Sequence, residues 1–315
     1  MPYVAVLGPN PHDLDEIAER RWHAMLAARP DLAPAVALQR RLLTLVRELD
    51  ATLAAGKRPR LSLPSRYLAA KLGRGVPALA GEPIPLPIGA MTTTLVRLCE
   101  ALASGGAGDA AAHIAAAITS GQMDAGSLLA ASLARNQTAI RSGAAHRGLA
   151  ADLVWLVGEL AVGSFVYRLH ETLFGDAADE TLRAALDAWD RGYCAACGSW
   201  PALAEVVGGH RTLRCSFCSS AWEPTRYACI YCGETGATFV TAAPNEERKD
   251  RRVEVCSNCG GYLKTADLPE LSPFPLLSIS DMETTDLDLA AMEHGYARPT
   301  LIDFTSQRTS LKSQR

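Results

Sequence analysis

Cys194-Ala195-Ala196-Cys197-Gly198-Ser199-Trp200-Pro201 opens a 66-residue window that holds eight of the nine cysteines of the chain. They fall in four pairs, completed by Cys215-Ser216-Phe217-Cys218, Cys229-Ile230-Tyr231-Cys232 and Cys256-Ser257-Asn258-Cys259. A two-residue spacer lets a tight turn bring both sulfurs to one metal at ~2.3 Å. One such knuckle supplies two ligands, so a tetrahedral site needs two knuckles. Small or polar residues after the second cysteine let backbone N–H groups face sulfur, and Gly198, Gly233 and Gly260 fit that role.

Seventeen residues separate Cys197 from Cys215, and Gly208-Gly209 between them signals a hairpin that folds the second pair back beside the first. Twenty-three residues separate Cys232 from Cys256, with a polar loop at 245–250. The repeated order of knuckle, glycine, strand, turn, strand, knuckle favours sequential pairing. Cys194, Cys197, Cys215 and Cys218 then hold one metal, and Cys229, Cys232, Cys256 and Cys259 the other. An interleaved cross-brace is the alternative, and the connector 219–228 allows either.

Four chemistries compete for these pairs. Disulfides do not suit a chain without an export signal, and thioredoxin-type redox catalysis needs a βαβ context that is missing. Iron–sulfur clusters usually use one compact cysteine group. Two mononuclear sites fit best, and tetrahedral sulfur suits zinc and iron alike. Four thiolates leave no open coordination position, so the metals are read as scaffolding or electron-exchange centres and not as water activators. Each site with a divalent metal adds about −2 of charge. The window is therefore not electropositive, although residues 191–264 carry nine Lys/Arg against seven Asp/Glu.

Outward from this window the pattern changes. Upstream, apolar residues recur at helical spacing over 14–28, 33–55, 65–72, 92–102, 109–119, 127–135, 144–174 and 179–189. Asp13 reads as an N-cap, and Gly56, Gly73, Gly121 and Gly175 as stop signals. Three alternating prolines make 81–87 an extended strap between helical groups. Short β-prone runs at 202–207, 211–214, 238–242 and 252–255 flank the knuckles. The fold class is α+β: an α-helical domain over 1–190, a tandem rubredoxin-like or zinc-ribbon-like four-cysteine metal-binding domain over 191–265, and an acidic segment 266–315 that packs on the core, its last residues flexible.

The 315 residues are 48% hydrophobic and 21% charged, with a formal net charge of −3, a soluble globular profile. Charge divides evenly, with 18 basic and 19 acidic residues over 1–190 and 13 and 15 over 191–315, which argues against a polyanion partner. The cluster 248–252 reads as a solvated loop tip. The first eight residues lack the basic region of a signal peptide, so a cytoplasmic location is expected. The apolar run 149–166 contains Asp152 and Glu159 and reads as a buried helix, not a membrane span. Cys99 reads as a small buried hydrophobe. The seven histidines are scattered, and no nucleophile–base signature is present, so no enzymatic activity is expected.

The run Cys194-x-x-Cys197-Gly198-Ser199-x-Pro201, Arg211-x-Leu213-x-Cys215-Ser216-x-Cys218, Trp222, Arg226, Cys229-x-x-Cys232-Gly233 and Glu254-x-Cys256-x-x-Cys259-x-x-Tyr262-Leu263-Lys264 resembles the family of the formate dehydrogenase accessory protein FdhE. Further matches are Leu128-Leu129, Arg135 and Gly148-Leu149 in the helical part, and Asp281, Asp286-Leu287-Asp288 and Gly295-Tyr296 in the tail. The resemblance implies a cytoplasmic, iron-binding, dimeric maturation protein that contacts the catalytic subunit of respiratory formate dehydrogenase before export. Arg211, Arg214, Arg226 and Tyr262, near the knuckles, are the candidates for that contact. A one-electron redox module is the first alternative. A nucleic-acid-binding zinc ribbon is the second, disfavoured by charge.

Overall fold

The computed structural model describes residues 3–4, 6, 11–56, 61, 63–175, 178–243 and 249–299. Most of the N-terminal run 1–8, most of the expected loop 245–250, Arg248 of the basic cluster, and residues 300–315 lie outside the described residues.

Helices α1 (Pro11–Ala28), α2 (Ala33–Ala55), α3 (Ser65–Gly73), α4 (Ile88–Leu102), α5 (Gly108–Thr119), α6 (Ala125–Leu133), α7 (Gln137–His146), α8 (Ala151–Phe174) and α9 (Glu180–Asp187) match the periodic runs with two corrections. Asp13 lies inside the first turn of α1 instead of capping it, because Pro11 already suits the first helical position. The run 144–174 is divided between α7, whose residues 137–143 lie outside every periodic run, and α8, since Gly148 takes φ 66° and ends the helix that the apolar spacing carries straight through. Gly56 and Gly175 stand at the C-terminal ends of α2 and α8, and 82–87 is extended as the prolines require.

Helix α8 is the axis of the helical body. It packs against α2, α4, α6 and α7, burying Val154, Val157, Ala161, Val162, Phe165, Val166 and Leu169. By length and composition α8 could cross a membrane, yet most of it is buried inside the protein. Apolar area removed from water contributes roughly 25 cal/mol per Å², so burying this face stabilises the helical part.

Among the described residues, seven strands form one sheet in the order β1-β4-β3-β2-β7-β6-β5. They are β1 (Tyr3–Val4), β2 (Pro201–Val207), β3 (His210–Cys215), β4 (Ala221–Trp222), β5 (Phe239–Ala242), β6 (Arg251–Cys256) and β7 (Gly261–Asp267). The β2–β3 hairpin turns through Gly208 and Gly209, both at positive φ, as a two-residue connection needs. Neighbours are antiparallel except β2 and β7, which run parallel with Ala204 opposite Thr265. That pairing joins the two hairpins into one sheet.

Helices α10 (Leu277–Glu283) and α11 (Thr285–Glu293) belong to the acidic segment. Helix α10 meets α1, and α11 meets β6 and β7. Charged side chains fill the seam: Lys264, fully buried, reaches Asp281 and Asp288 at 2.7 Å, and Arg21 holds Glu283 through two hydrogen bonds of 3.0 and 2.7 Å.

Candidate metal centres

The core does not stop where the helices end. One hydrophobic cluster runs from α4 and α8 into Cys194, Cys197, Cys215 and Cys218 and on to Leu213 and Trp222. The segment leading into the strap supplies a second link: the N–H groups of Ala78 and Leu79 donate to the carbonyls of Ala195 and Ala196, the two spacer residues of the first knuckle, at 2.8 and 2.9 Å. The plain Ala-Ala spacer thus serves as a backbone docking point.

All four C-x-x-C turns share one geometry. The N–H after the second cysteine donates to the carbonyl of the first, from Gly198 to Cys194, Ser219 to Cys215, Gly233 to Cys229 and Gly260 to Cys256, at 2.8–3.1 Å. Those four donors sit at φ 81°, 55°, 79° and 70°. Glycine adopts this left-handed region freely, whereas Ser219 holds it with a side chain. Sulfur also accepts from the backbone: the N–H groups of Phe217 and Cys218 lie 3.4 Å from Cys215 Sγ.

The sulfurs gather sequentially. Cys194, Cys197, Cys215 and Cys218 form one group and Cys229, Cys232, Cys256 and Cys259 the other, each with all sulfurs within 4.8 Å of one another. The interleaved arrangement is not the one formed. In the first group Sγ···Sγ distances include 3.6 Å (Cys194–Cys218), 3.5 Å (Cys197–Cys215) and 3.8 Å (Cys197–Cys218). In the second, Cys229–Cys259 and Cys232–Cys256 both stand at 3.6 Å. A tetrahedron with ~2.3 Å metal–sulfur bonds has edges of ~3.8 Å, so both groups have the size of a single-ion cage. An ion held there would supply the charge that lets four thiolates coexist and would tie two turns together. Among the described residues no other cluster of His, Cys, Asp and Glu has this convergence.

The two cages differ in exposure. All four sulfur residues of the first are buried, whereas Cys232 and Cys259 of the second are exposed. Burial pushes the Cys215 and Cys218 thiols well above their ordinary range, and their close neighbours add to this. Cys197 goes the other way: burial opposes its ionisation, but hydrogen bonding with Cys194, Cys215 and Cys218 and the charge of Arg135 prevail and hold its thiol well below the usual value. Burial also works against ionisation at Cys232, yet the N–H of Glu234, the Asn258 amide and the adjacent thiols bring it down to about 7. Cys99, in the helical part of the core, is pushed up to about 12 by burial.

The candidate contact residues are mostly engaged internally. Arg214 is fully buried, paired with fully buried Glu205, and donates to the Ser272 carbonyl at 2.6 Å. Tyr262 is buried and donates to Asp288 at 2.8 Å. Arg211 chelates Glu254 through Nε at 2.7 Å and Nη2 at 2.5 Å. Of the four, Arg226 alone is largely exposed, at 78%. Polar residue type beside the knuckles suggests a surface, but the sheet turns the other three side chains inward against β2, β6 and α11. His170 is likewise internal: burial lowers its pKa, and its ring lies 3.0 Å from both the Tyr167 carbonyl and the Tyr3 hydroxyl.

Side chains to which the sequence assigns no role at the metal sites bind the first cage to the helices. Arg135, between α6 and α7, pairs with Glu159 of α8 and lies 4.0 Å from the Phe217 ring centroid, inside the Cys215–Cys218 turn. Burial, acting against the Arg135 partner, pushes Glu159 up to about 7. Nothing periodic marks Arg135, which is 82 residues from Phe217 in the sequence.

The cages also touch each other's supports. A Cβ on Gly192, two residues before Cys194, would stand 1.9 Å from the Ile230 carbonyl oxygen in the third knuckle. Trp200 and Tyr231 meet edge to face at 4.9 Å in the same region. Gly192→Ala is expected to force these segments apart, costing on the order of 2 kcal/mol as overpacked sites do. Chemical denaturation of the metal-loaded protein measures it, and an unchanged midpoint would show that the Ile230 backbone yields freely.

A helical body carrying two tandem four-cysteine cages on one sheet defines a protein of the tandem metal-knuckle class. No family model matches the chain. Curated relatives bearing the name FdhE do: the chain is 29% identical over 115 residues to the FdhE homolog of Aquifex aeolicus, covering 35% of this chain and 40% of that one. It is 27% identical over 162 residues to the FdhE homolog of Rhizobium meliloti (46% and 53%), and 32% identical over 118 residues to FdhE of Escherichia coli (36% and 38%). The matched stretch thus spans about two fifths to half the length of these curated relatives. The crystal structure of the FdhE protein from Pseudomonas aeruginosa has the same fold, with a TM-score of 0.57 at 21% identity over 96% of this chain and 98% of that one. The resemblance read from the cysteine block is borne out.

Proposed function

We propose that this chain is an FdhE-type accessory protein, without catalytic activity of its own, that acts in the cytoplasm on the catalytic subunit of formate dehydrogenase before export. The observation that supports this most is the closed four-thiolate geometry of both cages on a fold shared with an FdhE protein. Such cages hold a shape and, if loaded with iron, exchange electrons, but they bind no substrate water. The eight cysteines are its metal ligands, iron is the favoured ion by resemblance and zinc suits the same cages. It works as a homodimer, with neither nucleic acid nor membrane as partner.

The test is capture. Immobilised, metal-loaded protein is expected to retain the formate dehydrogenase catalytic subunit from a two-component mixture, and failure to do so in the iron-loaded, zinc-loaded, oxidised and reduced forms would overturn the reading. Exposure of Cys232 and Cys259 favours a one-electron redox role as the second reading. Full client activation by protein holding only zinc would exclude that role.

A further inference from the structure

Arg135 occupies an unfavourable backbone position for its type. It follows the C-cap of α6 at φ 57°, with its N–H on the Ser132 carbonyl and the Asn136 N–H on the Ala131 carbonyl, a helix-terminating turn that ordinarily takes glycine. A bulky side chain held in the left-handed region points to what that side chain does. Its guanidinium lies between two rings, 4.0 Å from the Phe217 centroid and 4.9 Å from that of Trp155, and pairs with Glu159. The side chain is only 10% exposed, and its Nε has no hydrogen-bond partner among the described residues. Phe217 sits between Cys215 and Cys218, so the cation bears on the second knuckle of the first cage.

A buried four-thiolate cage around a divalent ion carries about −2, a charge that low-dielectric surroundings penalise unless a counter-charge is near. We propose that Arg135 is the positioning cation of the first cage, offsetting the tetrathiolate charge while its stacking on Phe217 fixes the Cys215–Cys218 turn. Glu159 orients the guanidinium and also competes for its charge. This assignment rests on the reading of the cysteines as metal ligands.

The test uses cobalt(II) as the probe, at pH 8, in the full chain carrying Cys232→Ser and Cys259→Ser so that the first cage alone reports through its thiolate-to-cobalt absorbance. Chelator competition is expected to show Arg135→Gln weakening cobalt binding by ~10-fold or more and Arg135→Lys, which keeps the charge, staying within ~3-fold, magnitudes set by one partly screened charge interaction. Glu159→Gln, which keeps a hydrogen-bond acceptor but removes the competing charge, is expected to tighten binding. A purely architectural Arg135–Glu159 pair would make Glu159→Gln weaken it. Equal affinities for all variants, or equal losses in Gln and Lys with weakening in Glu159→Gln, would overturn the proposal. Should Arg135→Gln fail to accumulate, the Lys and Glu159→Gln variants decide alone. If the unsubstituted chain took up no cobalt at all, the metal reading would fail first, and the Arg135 assignment with it.

Discussion

Cys215→Ser is expected to leave little folded protein. Cys215 closes β3, has no exposed surface, and belongs to the same core cluster as Leu213, Trp222 and the helices around α8. Serine oxygen is a poor ligand for a soft cage, and a buried hydroxyl short of partners costs ~1–3 kcal/mol by itself. Losing the metal costs far more. Apparent binding energies of structural zinc sites are ~10–16 kcal/mol, whereas whole domains are stable by only ~5–15 kcal/mol, so losing most of a site that, like the first cage but unlike the second, is built into the main core exhausts the margin. The damage spreads because the spacer carbonyls of Ala195 and Ala196 anchor Ala78 and Leu79 ahead of the strap. Soluble yield and thermal unfolding measure the outcome. A folded remnant should melt at least ~15 °C lower, by ~2–4 °C per kcal/mol for a chain of this class. A variant melting within a few degrees of the parent would show that the first cage is not structural.

What the sequence makes legible here is local. A C-x-x-C turn, a Gly-Gly hairpin and three spaced prolines each act over a few residues, and all three appear where their chemistry demands: the knuckles, the β2–β3 turn and the extended strap. The parallel pairing of β2 with β7 joins residues about sixty apart and leaves no local mark, so the two hairpins read as separate units. Pairing across strands and helices also explains why Arg214 and Tyr262 read as surface residues. Their partners Glu205, Ser272 and Asp288 come from β2, the loop after β7 and α11, and residue type alone does not reveal that a charge is to be neutralised internally. Arg135 is marked in the sequence only as a point of family resemblance, because its turn reads as an ordinary helix end and only the arrival of Phe217 gives its side chain a role.

Exposure should also split the two cages kinetically. Thiolate cages lose metal when a competing ligand reaches the ion or a sulfur, and in the second cage Cys232 and Cys259 lie open to solvent while Cys229 and Cys256 are buried. An attacking chelator needs no unfolding there. At the first cage every sulfur is buried in the main core, so access requires an opening that exposes the strap, β3 and part of α8. Opening energies range from about zero at frayed surfaces to the full stability at the core, and a difference of ~3 kcal/mol already gives ~100-fold in rate. Excess chelator added to protein loaded with two equivalents of zinc is therefore expected to release one equivalent at least ~100-fold faster than the other. Cys232→Ser should abolish the fast phase and spare the slow one. Release of both equivalents in a single phase would mean that the cages open together, the Gly192–Ile230 crossing then coupling them so tightly that burial no longer sets the order.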